Sequence, residues 1–198
     1  MARPLKFNRD AAIETAMHEI WRSGYEATSV NAMSEKLGLT RSSYYNAFGS
    51  RADLFKAALA AYSEQSPDRA LQDLPGAGGT RKHLTGLFRA ACAARASDPE
   101  GRGCMMINAL CELAGGPEAE LSRLMVSSVL TTVQRLQDWL EAGVASGELP
   151  QTTDCHAKAL ALQSLLMGLN AMSKAVRGED DLWLAARTTL AALDLLDT

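Results

Sequence analysis

The 198-residue chain contains no apolar run approaching the ~20 residues needed to span a bilayer, so a membrane protein is not expected. Its amino end, MARPLKFNRD, is cationic but leads into no hydrophobic segment. That excludes a secretory signal of the usual kind, and a cytoplasmic location is the expectation. The four cysteines, Cys92, Cys104, Cys111 and Cys155, form no CxxC pair and have no histidine at zinc spacing. Reduced thiols in a reducing compartment follow. His18, His83 and His156 lie far apart in sequence, so no metal site is expected, and no cofactor motif is present. The Asn-Gly hairpin signal, internal repeats and low-complexity tracts are all missing.

Apolar residues make up 47% of the chain and charged residues 22%, the balance of a soluble globular protein. A net charge of −3 excludes a wholly basic nucleic-acid binder, but the charge is uneven. Residues 1–66 carry 8 Lys/Arg against 7 Asp/Glu, whereas residues 67–198 carry 12 against 16. Arg3, Lys6 and Arg9 stand ahead of the first acid.

Helical periodicity runs through almost every long segment, which predicts an all-α fold of about nine helices. Asn8 caps the first, with Ile13, Ala16, Met17, Ile20 and Trp21 as its apolar stripe and Gly24 as its stop. Thr28 or Ser29 starts a short second helix with Val30, Met33 and Leu37 on one face. Gly38 suits a tight turn, and Thr40 caps the third helix, with Leu39 and Tyr44 placed as a hydrophobic staple. Ser50 and Asp53 form a capping box for the fourth, whose buried stripe is Leu54, Phe55, Ala58, Leu59 and Tyr62. Residues 67–79, with two prolines and three glycines, read as a linker. Five more helices follow: one ending near Asp98, one in GCMMINALCELAGG, and three at about 118–145, 155–176 and 181–196.

Two short helices joined at a glycine and braced by longer ones match a helix-turn-helix. On the third helix, Tyr44 and Phe48 fall on the inward face at i and i+4, and Ser42, Tyr45 and Asn46 fall outward with Arg41 at the edge. That outward face is rich in donors and holds no acid, as a helix entering the groove between phosphates requires. Arg41 suits a guanine edge or a phosphate, Ser42 and Asn46 suit base edges, and Tyr45 suits a phosphate oxygen. Thr28, Ser29, Thr40 and Arg51, at helix starts, are expected to add hydroxyls, amides and positive charge to the same DNA-binding set.

Residues 8–59 resemble the N-terminal domain of the TetR family of transcriptional regulators. The resemblance runs through Gly24-Tyr25, Thr28-Ser29-Val30, Gly38-Leu39, Tyr45, Phe48, Ser50-Arg51 and Leu54-Phe55, about a quarter of the chain. Two positions depart from it: Ala47 stands where the family often has a histidine, and Tyr44 where it usually has leucine or isoleucine. The resemblance implies phosphate contacts at Tyr45 and Arg51, and a homodimeric repressor released from a palindromic operator in double-stranded DNA by a small-molecule effector. The expected domains are a DNA-binding domain over residues 1–62 and a ligand-binding and dimerisation domain over residues 63–198.

In the second domain, AKALALQSLLMGLNAMSKAV is apolar on more than one side and fits a helix buried both by its own core and by a partner subunit. Cys104 opens a helix, where the dipole favours a thiolate, and Arg102 is expected to add charge. Asn108, Cys111 and Glu112 recur at i+4, i+7 and i+8, predicting a polar stripe into the interior. The Gly-Cys-x-x-x-Asn spacing resembles that of some TetR regulators of genes detoxifying reactive carbonyls and quinones. Cys104 is thus a candidate electrophile or redox sensor, and a small core residue on the plainer reading. Trp139 is a candidate to stack on a flat ligand, and a core residue otherwise. Two rival functions remain open, a cysteine-dependent enzyme and an all-α interaction module; the enzyme lacks a general base beside Cys104, so none is expected.

Overall fold

Asn8 turns the chain into its first helix by accepting hydrogen bonds from the amides of Asp10 and Ala11. Amides of this kind have no partner inside the helix, which is why short polar residues mark helix starts. The computed structural model describes residues 7–72 and 79–197. Among them are nine α-helices and no strand. They are α1 (Arg9–Ser23), α2 (Val30–Lys36), α3 (Arg41–Phe48), α4 (Arg51–Gln65), α5 (Gly79–Ala96), α6 (Met105–Leu113), α7 (Ala119–Ala145), α8 (Cys155–Met172) and α9 (Glu179–Ala192). The chain divides into two compact units, residues 1–65 and 66–198.

In the first unit, α1 lies on α4. Ala16, Met17 and Ile20 meet Leu54, Phe55, Ala58, Leu59 and Tyr62 as one buried set. Trp21 stands edge-on to Tyr62 at 5.0 Å, and Tyr25 to Phe55 at 4.9 Å. Ser29 is the cap of α2, accepting from Ala32 N at 3.2 Å, and Thr40 is the cap of α3, accepting from Ser43 N at 3.1 Å. Gly38 between them has φ +64° with open space around the position of a Cβ, so its glycine is needed for backbone conformation rather than for room. The capping box of α4 is complete: Ser50 N donates to Asp53 Oδ2 at 3.1 Å, and Asp53 N to Ser50 Oγ at 3.0 Å.

In the second unit, α5, α7, α8 and α9 enclose one core around Leu84, Phe88, Leu136, Leu140, Leu162 and Leu190. The start of α5 is held by Glu148, whose two oxygens accept from Thr80 N at 2.6 Å and Arg81 N at 2.8 Å. A carboxylate there satisfies orphan amides and meets the positive end of the dipole.

Three boundaries differ from those the sequence predicts. Residues 67–72 form a 3₁₀ turn rather than linker, because Leu71 is anchored in the second core at 2% exposure. Residues 73–78, the remainder of the predicted linker, lie outside the described residues. The eighth helix stops at Met172, where Ser173 Oγ donates to Asn170 O at 2.9 Å and takes a carbonyl the next turn would use. The ninth begins at Glu179, with Glu179, Asp180 and Asp181 in its first turn, where acids are favoured.

Candidate nucleic-acid interface and interior polar cluster

The two adjacent tyrosines of α3 part company as 100° per residue requires. Tyr44 is buried, edge-on to Phe48 at 5.3 Å, and burial in apolar surroundings pushes its hydroxyl up to about 12. Tyr45 is 45% exposed and rests its edge on Tyr44 at 5.7 Å, so its ring is braced while its hydroxyl is offered outward. Arg41, Ser42 and Asn46 are also exposed, and α3 carries no acid in its first turn. Thr40, Ser42 and Ser43 exchange hydroxyl hydrogen bonds of 2.9–3.0 Å at the helix start. Ser43, exposed but absent from the predicted set, belongs to this cap. Arg9 Nε donates to Ala47 O at 3.2 Å and fixes the far end of α3. Arg3 and Lys6 lie outside the described residues.

Two residues expected on the DNA-facing surface have polar groups engaged by the protein itself: Thr28 is buried, and Arg51 keeps 25% of its side chain exposed. Thr28 is 5% exposed, and its hydroxyl donates to Gly24 O at 3.1 Å and Tyr25 O at 2.8 Å, leaving no proton for a phosphate. Arg51 Nε donates to Thr28 O at 3.0 Å, Nη2 donates to Tyr25 O, and the guanidinium lies 3.8 Å over the Tyr25 ring. Glu26 stands 3.8 Å from Nη2 and offsets its charge. The α4 start is likewise no open anion site. Asp53 occupies it, its carboxyl held below the usual range chiefly by the Ser50 hydroxyl, with Lys56 nearby. Ser29 stays exposed with its hydroxyl at the α2 amides. The outward surface therefore comprises Ser29, Thr40, Arg41, Ser42, Tyr45 and Asn46, and Arg51 is the clamp that ties the turn before α2 to α4.

In the second unit the residues around Cys104 come together differently from the predicted stripe. Cys104 is the cap residue of α6, buried at 1%, and its amide donates to Asn170 Oδ1 on α8. Gly103 has φ +75°, and a Cβ there would collide with that same Asn170 oxygen, so glycine permits the close approach. Asn108 Nδ2 donates to Arg102 O at 2.7 Å and closes the turn. Arg102 adds no free charge beside the thiol, because its Nη2 pairs with Asp98 at 2.9 Å. Burial alone would push the Asp98 carboxyl up, but the side-chain and backbone donors of Arg102 outweigh it and hold it below the usual range. Cys111 and Glu112 are exposed, so the predicted polar stripe leaves the interior after Asn108. Helix α6 turns that part of its face away from the core, and all four cysteines are free thiols. Trp139 is 2% exposed in the core, edge-on to His83 at 5.9 Å, with its carbonyl held by Thr80 Oγ1 at 3.0 Å. It is a packing residue rather than a stacking platform.

The sequence matches two family descriptions. Residues 12–58 match "Bacterial regulatory proteins, tetR family", and residues 80–189 match "Tetracyclin repressor-like, C-terminal domain". The chain is 28% identical over 189 residues to the HTH-type transcriptional repressor ComR of Escherichia coli (strain K12), covering 95% of this chain and 90% of that protein. Among solved structures it resembles a cysteine mutant of the TetR family transcriptional regulator CifR complexed with 26-base-pair operator DNA. The TM-score is 0.84 at 31% identity, covering 96% of this chain and 99% of that one. A TetR regulator from Chloroflexus aurantiacus J-10-FL, 19% identical with a TM-score of 0.80, shares the fold. Both units of the chain are thus accounted for by one architecture, a helix-turn-helix domain followed by a helical domain, and the chain belongs to the TetR family of transcriptional regulators.

Proposed function

We propose that the protein is a ligand-responsive repressor that binds a palindromic operator as a homodimer and is released by a small molecule. Residues 1–62 form the DNA-binding domain in this reading, and residues 63–198 the ligand-binding and dimerisation domain. The observation that carries it is the outward face of α3. The side chains of Arg41, Tyr45 and Asn46 make no hydrogen bond or ion pair among the described residues, and the face holds no carboxylate to repel a phosphate. That a 31% identical family member has been solved complexed with operator DNA supports DNA as the partner. A second copy places two such helices ~34 Å apart, one turn of duplex, which makes the operator palindromic. Leu160 on α8 and Leu184 on α9, 45% and 47% exposed, support α8 and α9 as the faces that copy covers.

Fluorescence anisotropy with a labelled palindromic duplex tests the reading. The logarithm of affinity should fall linearly and steeply with the logarithm of salt concentration as counterions are released. A flat dependence would overturn it. Tyr45→Ala is expected to weaken operator and non-operator DNA alike, by roughly tenfold, and Arg41→Ala to relax base preference by about 1–3 kcal/mol if Arg41 reads a guanine edge. Unchanged binding in both variants removes α3 from the groove.

For the release step, Cys104 is the candidate thiol through its link to α8. Modifying a side chain packed at 1% exposure must displace the α6 start, and with it the Cys104–Asn170 hydrogen bond. N-ethylmaleimide should release wild-type protein from DNA and leave Cys104→Ser bound. Equal release of both would shift the effect to another thiol, of which Cys111 is the exposed one.

A further inference from the structure

Of the six Lys and Arg side chains in residues 7–65, four answer to a carboxylate. Arg22 and Lys36 pair with Glu19, Arg51 stands within ion-pair distance of Glu26, and Lys56 pairs with Asp53. The other two, Arg9 and Arg41, have no carboxylate partner among the described residues. They sit at opposite ends of one helix. Arg41 is the first residue of α3, and Arg9, although it belongs to α1, donates Nε to the carbonyl of Ala47, the penultimate residue of α3.

Several contacts hold Arg9 in that place. Its guanidinium carbon lies 5.9 Å from the centre of the Phe48 ring, and the Phe7 ring stands edge-on to the same ring at 5.9 Å. The carbonyl it meets is among the last four of α3, which have no partner inside the helix and carry the negative end of its dipole. That bond uses one of the five N–H donors of a guanidinium. The other four, on Nη1 and Nη2, make no hydrogen bond or ion pair among the described residues, and Arg9 is exposed. Asp10 and Glu14, its acidic neighbours on α1, form no ion pair with it. The Asp53 carboxylate, beside Gly49 at the same end of α3, is taken by Ser50 and Lys56. A guanidinium anchored by one nitrogen and open at two can meet an external anion with a pair of parallel donors.

We propose that Arg9 is a phosphate contact of the DNA interface, closing on the backbone of the duplex at the end of α3 away from Arg41. The inference rests on the DNA-binding reading above and adds to it a residue from outside the helix-turn-helix. Eight residues make α3 ~12 Å long, about the width of the major groove. A helix of that length seated in the groove has its ends beside the flanking phosphates, and Arg9 stands at one of those ends. The contact carries no base preference of its own. It fixes the register in which Arg41, Tyr45 and Asn46 meet the base edges.

The test is a salt titration of the full chain with a labelled duplex of mixed sequence, read by fluorescence anisotropy below the Tm of every variant. Any sequence serves, because phosphate contacts supply the non-specific affinity. Arg9→Gln removes the charge, Arg9→Lys keeps it, and Arg22→Gln removes a charge ~20 Å away at the other end of α1, well beyond a Debye length. In Arg9→Gln the slope of log affinity against log salt should be shallower than in wild type by about 0.9, the release of one counterion. Affinity should be roughly eightfold lower at about 0.1 M salt and approach wild type near about 1 M. Arg9→Lys and Arg22→Gln should keep the wild-type slope. A residue that only caps α3 would lower the Tm in Arg9→Gln and leave the slope alone. A wild-type slope in Arg9→Gln, or an equal loss of slope in Arg22→Gln or Arg9→Lys, would overturn the contact and leave DNA binding standing. A wild type insensitive to salt would sink both.

Discussion

Thermal melts of Arg51→Ala should show the N-terminal unit weakened by about 2–4 kcal/mol, a fall in its Tm of roughly 10 °C or more. The side chain gives Nε to Thr28 O at 3.0 Å and Nη2 to Tyr25 O, and lies over the Tyr25 ring. Truncation leaves both carbonyls without their charged donor and removes the cation–π contact, which adds about 0.5–1 kcal/mol. Arg51→Lys should recover little, since a single ammonium cannot reach two carbonyls and a ring face as the planar fork does. DNA affinity should fall in Arg51→Ala because the turn ahead of α2 loosens, and the slope of affinity against salt should be nearly unchanged. A residue acting chiefly as a phosphate contact gives the reverse pattern: stability as in wild type and a salt slope smaller by about one.

The largest stability effect is expected at Tyr44, with Tyr45 as its internal control. Tyr44→Ala empties a site that is 1% exposed and should cost about 3–5 kcal/mol, enough to detach α3 from the unit. Tyr45→Ala removes a side chain that is 45% exposed and should leave the melt within about 0.5 kcal/mol of wild type while weakening DNA binding. The hydroxyl of Tyr44 adds a pH signature. Its folded pKa, raised by burial to about 12, lies above the ordinary value of 10.0. The unfolded chain therefore loses this proton first. Stability linked to the group is intact below pH 10 and declines between pH 10 and 12, by about 2–3 kcal/mol in all. Tyr44→Phe should lack that component, so the two melting curves should diverge above pH 10. Parallel curves would show that the hydroxyl is not buried.

Much of this architecture is written in short-range pattern. Asn8, Ser29, Thr40 and the Ser50–Asp53 pair start their helices through bonds to amides within three residues, so reading them needs no tertiary knowledge. The inward Tyr44 and outward Tyr45 follow from helical periodicity in the same way. Arg95 was missed: it is buried along the stripe of Phe88, Ala91 and Cys92, but its charge makes it look like a solvated last-turn cation. Leu71 was hidden by its neighbours, since prolines and glycines on either side read as linker while one leucine held the segment to the core.

The sequence by itself determined the all-α character, the helix-turn-helix and the hydroxyl-rich, acid-free face of α3, because each depends on residues within a turn or two of one another. Only the tertiary structure decided how the remaining polar groups are used. Arg51 meets carbonyls 23 and 26 residues away, and the Cys104 amide meets Asn170 from 66 residues away. Spacing along a chain specifies which face of a helix a side chain occupies, but the partner waiting there arrives from another helix, and that partner decides whether a cation is a clamp or stays available to a phosphate.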